Sequence, residues 1–350
     1  MPTLYFAYPG DIDTPTGGYG YDRRIISGLR NLGWQVELVP LGDGFPFPSA
    51  VTLKDARERL AGLPEGALTV VDGLAYGVFA HAAAALAGRL SLIALVHHPL
   101  CRENGLSADE AAKLRDSEHK ALAPVRHIIV TSPATAGQVS ELFGVSPEKI
   151  TVVVPGTDKP GLVTRAPSNP VRLLSVGTVV QRKGYDLLLQ ALSGLKGLEW
   201  MLDVVGGLDA DPLCYHALLR QVDRYDLSER VTFHGAVPSV DLGRFYSNAD
   251  IFVLASRYEG YGMAYTEALA HGLPVIGSGG GAVRETLPKD AAIYCGTEDA
   301  EALHDALEML IRDPSARTDM AEAARNAAMD LPDWNDAARR FAKTLQEVCS

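Results

Sequence analysis

The chain has 350 residues, 43 acidic and 32 basic, for a net charge of −11, which excludes a broad nucleic-acid footprint or a strongly polybasic membrane surface. Its hydrophobic content of 47% excludes a disordered polymer, and the length suits two domains that each bury a core. Cys101, Cys214, Cys295 and Cys349 form no C-x-x-C pair, so neither a zinc knuckle nor a disulfide framework is indicated and a reducing compartment is expected.

No apolar run reaches the length of a membrane span, and the start of the chain lacks the charged-then-apolar pattern of a signal peptide. A cytoplasmic location is therefore expected. Leu4 to Ala7 reads as a first strand, followed by a long polar loop, Pro9 to Gly20, that holds Asp11, Asp13 and the pair Gly17-Gly18. A helix follows, with Ile25, Ile26, Leu29 and Leu32 at helical spacing and Gly33 at its end, and then a strand from Val36 to Val39. This is a βαβ opening of Rossmann kind without G-x-G-x-x-G, so a nicotinamide or flavin site is not supported.

The alternation continues through strand Leu68 to Val71, an alanine-rich helix to Leu86, strand Leu92 to Val96, helix Ser107 to Leu122, strand Ile128 to Val130 and helix Pro133 to Leu142. Ser107 with Glu110 forms a capping box, and Ser132 before Pro133 is a helix start. His97 and His98 follow the Leu92 to Val96 strand at its carboxyl end, the edge where open α/β sheets bind ligands. His97, the first after the strand, is the candidate. The proline-rich run Pro155 to Pro170 cannot continue a sheet or a helix and reads as an interdomain linker.

A second α/β half begins with Val171 to Val176, then the turn Gly177 to Gly184 and a helix near Tyr185. Arg182 offers a planar fork and Lys183 a point charge just before that helix, a pair suited to a diphosphate. Asp209-Ala210-Asp211 has the D-x-D spacing of some metal sites, but it lies where Asp caps a helix, and no metal is expected there or at Asp11-Ile12-Asp13.

The stretch SRYEGYGMAYTEALAHGLPVIGSGGG, Ser256 to Gly281, organises this half. After the apolar strand Ile251 to Leu254 the chain turns at Glu259-Gly260-Tyr261-Gly262, becomes helical from Met263 and stops at Gly272 before Pro274. Main-chain N–H groups near Gly262 to Tyr265 favour a phosphate, and glycines at 260 and 262 allow close approach. Glu259 and Glu267 repel phosphate and are better placed as acceptors for hydroxyls on either side of it, which describes a sugar nucleotide.

Glu259, seven residues and Glu267, set in S-x-x-E-G-x-G-x-x-x-x-E-A-x-x-x-G-x-P-V-I, resembles the E-x7-E signature of retaining glycosyltransferases of family four. The resemblance implies a GT-B fold, two Rossmann-like domains facing each other across a cleft. It places an acceptor-side domain at 1–157, with a terminal helix 333–350 crossing back onto it, and a donor-nucleotide domain at 158–332. It implies that Glu259 contacts the donor sugar, that Glu267 contacts the ribose, and that His97 faces donor sugar and acceptor. Arg182 and Lys183 take the donor phosphates, although Thr178 stands where the family usually has an arginine.

By the same resemblance, Gly17 and Gly18 approach the diphosphate, unless they form only a flexible turn. Val237 meets the nucleobase, the backbone of Gly260, Tyr261, Gly262, Met263 and Ala264 cradles the donor, and Gly279 to Gly281 with Glu285 lie on the sugar side. The implied reaction is metal-independent transfer of a hexose from a UDP- or GDP-sugar to an acceptor hydroxyl, with retention and no cofactor. The acceptor is open: a saccharide, a lipid carrier or a small metabolite. A sugar-nucleotide binding protein without turnover and a GT-B nucleotide-sugar epimerase are the alternatives.

Overall fold

The computed structural model describes residues 1–103, 105–161 and 168–349, and the chain divides into two compact units, Met1–Gly156 with Pro332–Ser350, and Thr157–Leu331. The expected linker, Pro155 to Pro170, includes residues 162–167, which lie outside the described residues.

The first unit alternates β1 (Thr3–Tyr8), α1 (Gly17–Asn31), β2 (Gln35–Pro40), α2 (Ala50–Ala61), β3 (Leu68–Asp72), α3 (Gly73–Tyr76), α4 (Ala83–Arg89), β4 (Ser91–Val96), α5 (Ala108–Leu122), β5 (His127–Val130), α6 (Pro133–Phe143) and β6 (Ile150–Val152). Its six strands run parallel in the order β2-β1-β3-β4-β5-β6. Strands covered on both faces by helices are buried along almost their whole length and mostly apolar, as in β3 (LTVVD) and β4 (SLIALV). Ser107 and Glu110 form the capping box of α5, and Ser132 caps α6, whose first residue is Pro133.

Three sequence expectations differ here. The alanine-rich segment is two short helices, α3 and α4, separated at Gly77 to Ala82. Helix α2 was not anticipated, since only Ala56 and Leu60 of it are buried, too few to give a readable apolar period. Leu32 lies just past the end of α1 and is 46% exposed, so the buried face of that helix is Tyr21, Asp22, Ile25, Ile26 and Leu29.

The second unit contains β7 (Val171–Val176), α7 (Tyr185–Ser193), β8 (Trp200–Val205), α8 (Pro212–Arg224), β9 (Val231–Phe233), α9 (Ser239–Asn248), β10 (Ile251–Leu254), β11 (Tyr258–Glu259), α10 (Met263–Ala270), β12 (Val275–Gly277), β13 (Gly280–Gly281), α11 (Val283–Thr286), β14 (Ala292–Tyr294), α12 (Ala300–Arg312) and α13 (Pro314–Met329). Its main sheet is parallel in the order β9-β8-β7-β10-β12-β14, and β11 pairs with β13 in a two-stranded ribbon. Chain order reverses between β7 and β10, which pair side by side. At such a switch point the loops leaving two adjacent strands diverge and open a crevice at the carboxyl edge. Apolar clusters around Trp200 and Leu188 on one face, and around Phe252 and Tyr265 on the other, bury the sheet.

The last helix, α14 (Trp334–Cys349), belongs to the first unit and packs on α1. Gly28 makes this close approach possible, because a Cβ there would meet the Ala338 methyl at 2.4 Å. Tyr21 lies edge-on to Trp334, with ring centroids 6.0 Å apart. No helix among the described residues is long and apolar enough to cross a membrane.

Candidate active site

Two loops meet at the switch point of the second sheet. The loop after β7 carries a single 3-10 turn, Gln181–Lys183, before α7, and the loop after β10 carries Ser256 to Gly262. Gly184 joins that turn to α7 with φ +63°, and a Cβ on it would lie 1.9 Å from the carbonyl oxygen of Ala255. Only glycine allows the two loops this approach. The loops are then sewn together by main chain, with Arg257 N–H donating to the carbonyl of Arg182 at 2.8 Å.

The cations predicted from the turn and the first glutamate of the motif come together here. Lys183 Nζ lies 2.6 Å from Glu259 Oε1, and Arg182 Nη1 lies 3.4 Å from Glu259 Oε2 and 3.0 Å from the carbonyl of Tyr258. Ser256 Oγ donates to Glu259 Oε1 at 2.5 Å. Glu259 is buried, with 5% of its surface exposed. Burial alone would push its carboxyl up, but the charges of Lys183 and Arg182 and the hydrogen bonds from Lys183 and Ser256 outweigh it and hold the group below the usual carboxylate range. Glu259 is thus ionised and already engaged with both cations.

Arg257 is a site residue that sequence reasoning missed. Its guanidinium holds the Asp186 carboxylate through two nitrogens at 2.9 and 2.7 Å, donates to the Gln181 carbonyl at 2.7 Å and reaches Glu298 at 2.8 Å. It braces the turn that presents Arg182 and Lys183 from behind. The signal was available in the motif, where an arginine sits two residues before the glutamate.

Gly260, Tyr261 and Gly262 connect β11 to α10. Gly262 has φ +92° and is the N-cap of α10 without a side-chain cap, so the first-turn N–H groups of Met263 and Ala264 are not satisfied by a capping side chain. Glu267, one turn into α10, accepts a hydrogen bond from Tyr246 Oη of α9 at 2.7 Å. Val237 lies in the loop between β9 and α9 and packs against the Phe252 cluster. Asp211 caps α8, accepting from Cys214 N–H at 2.9 Å, and Asp11 accepts from Asp13 N–H at 2.9 Å; both short acidic pairs have these local roles.

Among the first unit's candidate site residues the structure corrects one expectation. Gly17 and Gly18 are not in a loop but are the first two residues of α1, which begins immediately after its N-cap Thr16. Neither has a positive φ, and Gly18 faces the His97 ring, where a Cβ would make an ordinary van der Waals contact 3.6 Å from His97 Cδ2. His97 follows β4 as expected, and its Nε2 lies 3.2 Å from Asp22 Oδ1 and 3.7 Å from Asp72 Oδ2. Asp22 comes from the buried face of α1 and Asp72 from the last position of β3, so the trio gathers beside the chain reversal of the first sheet. These are the one group of potential metal-ligating side chains found together among the described residues, with ligating atoms within 4.8 Å of one another.

A doubly wound parallel sheet in each unit, with paired cations at the switch point of the second, defines a GT-B protein. Residues 163–327 match the family described as "Glycosyl transferases group 1", and residues 23–159 match "Glycosyltransferase Family 4". The chain belongs to glycosyltransferase family four.

Among its relatives, a D-inositol 3-phosphate glycosyltransferase of Xylanimonas cellulosilytica is 28% identical over 63% of this chain and 57% of its own length. A GDP-mannose-dependent alpha-(1-6)-phosphatidylinositol monomannoside mannosyltransferase of Mycolicibacterium smegmatis is 30% identical over 49% of this chain and 47% of its own. The matches therefore span about half of these curated relatives. Among solved structures, a sucrose-phosphate synthase from Thermosynechococcus elongatus shares the fold with a TM-score of 0.85 at 20% identity, covering 99% of both chains. An Anabaena protein solved with UDP and glucose has a TM-score of 0.78 at 19% identity, covering 98% of this chain and 99% of its own.

Proposed function

We propose that this protein is a retaining, metal-independent glycosyltransferase that moves a hexose from a nucleoside diphosphate sugar, with UDP or GDP as carrier, to an acceptor hydroxyl. The observation that carries the reading is the convergence of Arg182 and Lys183 with Glu259 where the two loops meet, Glu259 lying in the loop that also leads into the uncapped N-terminus of α10. Two cations and a helix end that carries partial positive charge suit a pyrophosphate whose charge grows as the glycosidic bond breaks. The relatives named for glycosyl and mannosyl transfer and the neighbour solved with UDP support the same chemistry.

In this reading Glu259 has two tasks. Its carboxylate keeps Arg182 and Lys183 in place while burying little net charge, and it offers an acceptor to the donor sugar. Glu267 and Val237 contact the ribose and base. The leaving phosphate takes the acceptor's proton, so no carboxylate is needed as base.

A thermal-shift screen of UDP-, GDP- and ADP-sugars identifies the donor, and mass spectrometry of products formed in cell extract identifies the acceptor. With the donor known, Glu259→Ala is expected to lower transfer by orders of magnitude while nucleotide binding survives. Undiminished transfer by that variant would reject the assignment.

A further inference from the structure

The polar environment of His97 is unusual for a histidine expected to meet a substrate. Both of its polar ring contacts are made through Nε2, to Asp22 Oδ1 at 3.2 Å and to Asp72 Oδ2 at 3.7 Å. Nδ1 has no hydrogen-bond partner among the described residues. The two carboxylates are withdrawn from water, with Asp22 0% and Asp72 3% exposed, while the imidazole keeps 20% of its side-chain surface. Asp22 Oδ2 has no hydrogen-bond partner, so the ring is the main compensation available to that carboxylate.

Every element packed on the ring contributes to this balance. Helix α1 supplies Asp22, the edge-on ring of Tyr21 at 5.4 Å and the bare Gly18 backbone. Strand β3 supplies Asp72, whose other oxygen accepts from Leu74 N–H at 2.7 Å. Thr131 and Thr135 donate to the main-chain carbonyl of His97 at 3.2 and 3.5 Å and so fix the backbone that carries the ring. A neutral imidazole here would leave the buried Asp72 carboxylate, and Asp22 whenever it is ionised, without a positive partner, which is costly for groups withdrawn from water.

We propose that Asp22 and Asp72 are positioning residues that hold His97 as an imidazolium, so that His97 serves as a fixed cationic hydrogen-bond donor, through Nδ1–H, to an oxygen of the bound substrate and not as a proton acceptor. The proposal rests on the reading of His97 as a substrate-facing residue of the transferase. The electrostatics agree with the geometry. Burial acts to lower the His97 pKa, but the charge and hydrogen bonds of Asp22 and Asp72 outweigh it and raise it to about 10. Burial pushes Asp22 up to about 7, against the pull of His97. It acts upward on Asp72 too, yet His97 and the Leu74 N–H hold that carboxyl below its ordinary value. The stable state at neutral pH is thus a protonated ring beside an ionised Asp72, with Asp22 the group nearest its own titration. A base at this position would be spent before the reaction began; a cation is not.

The test is the titration of His97 in the full chain by nitrogen-15 imidazole NMR, with the resonance assigned by His97→Gln. The wild-type ring is expected to remain protonated to above pH 9, and Asp22→Asn or Asp72→Asn to lower its midpoint by at least one pH unit. Transfer by Asp22→Asn is expected to acquire a new falling limb as pH rises through that lowered midpoint, with the wild type flat over the same range. A wild-type midpoint near 6.5, or a midpoint unmoved by both substitutions, would overturn the proposal. So would displacement of the His97 resonance by micromolar zinc or manganese, which would make the trio a cation site. If one asparagine variant does not fold, the other and the wild-type titration still decide. Because the titration is read without substrate, a high midpoint in a chain that turns over no nucleotide sugar refutes the transferase reading and leaves the trio standing.

Discussion

Lys183→Met is the substitution that most directly probes the candidate site. Lys183 Nζ lies 2.6 Å from Glu259 Oε1 with 13% of its side chain exposed, and Glu259 has 7%. Removing the ammonium leaves the carboxylate with the 3.4 Å approach of Arg182 and the hydroxyl of Ser256. Breaking one side of a buried ion pair costs roughly 3–5 kcal/mol. In a unit of this size each kcal/mol lowers the melting temperature by about 2–4 °C, so the variant is expected to melt roughly 6–20 °C lower at pH 7.5.

The dependence on pH has a definite sign. In the wild type the Glu259 pKa is depressed, so the pair stabilises the fold above the unfolded carboxyl pKa and its contribution is lost as pH falls through the folded value. In the variant, burial dominates and raises the pKa, so the deficit against wild type grows as pH rises from 5 to 7.5. Calorimetric scans across that range measure it. The double variant Lys183→Met with Glu259→Gln should recover much of the loss, since replacing both partners removes the uncompensated charge. Melting of Lys183→Met within 2 °C of wild type at pH 7.5, or strict additivity in the double variant, would refute the argument.

Arg257→Ala removes the brace behind the cation turn without touching the proposed phosphate site. It should weaken nucleoside diphosphate binding about tenfold, or about 1.4 kcal/mol, by calorimetry, and an unchanged Kd would show that Gly184 and the main-chain bond suffice. Glu118 is buried behind the loop that follows His97 and His98 and accepts from Leu100 N–H at 2.9 Å. Burial pushes its pKa up to about 8, so it favours the fold below the unfolded carboxyl pKa and loses that contribution as pH rises through about 8. Glu118→Gln should therefore flatten the fall in stability between pH 5 and 9, and an identical slope in both proteins would assign the slope to other groups.

The second half of the chain was more legible in its sequence than the first, for a physical reason. Glu259, Gly260, Gly262 and Glu267 lie within nine residues, and Arg182 and Lys183 are adjacent, so the site is encoded as two short local runs that parallel strand pairing then brings together. The trio of Asp22, Asp72 and His97 is spread over three elements, and no spacing along the chain encodes it. A clue was present in Asp22, which occupies an apolar position one turn before Ile25 and Ile26, where an acidic residue is buried and must find a partner. Asp72 carried another, as the residue ending a buried parallel strand. Gly17 and Gly18 were misplaced because glycine suggests a turn, whereas Thr16 accepts from Tyr19 N–H and starts the helix one turn earlier.

The return of α14 to the first unit has a consequence for how the chain is made. Tyr21 and Gly28 emerge from the ribosome about 300 residues before Trp334 and Ala338, the partners that cover them. At roughly 5–20 residues per second that apolar seam stays bare for some tens of seconds, while the contiguous unit, Thr157–Leu331, completes in between. Nascent chains stalled before residue 332 should therefore be bound by chaperones through the α1 face, and release of residues 332–350 should discharge them.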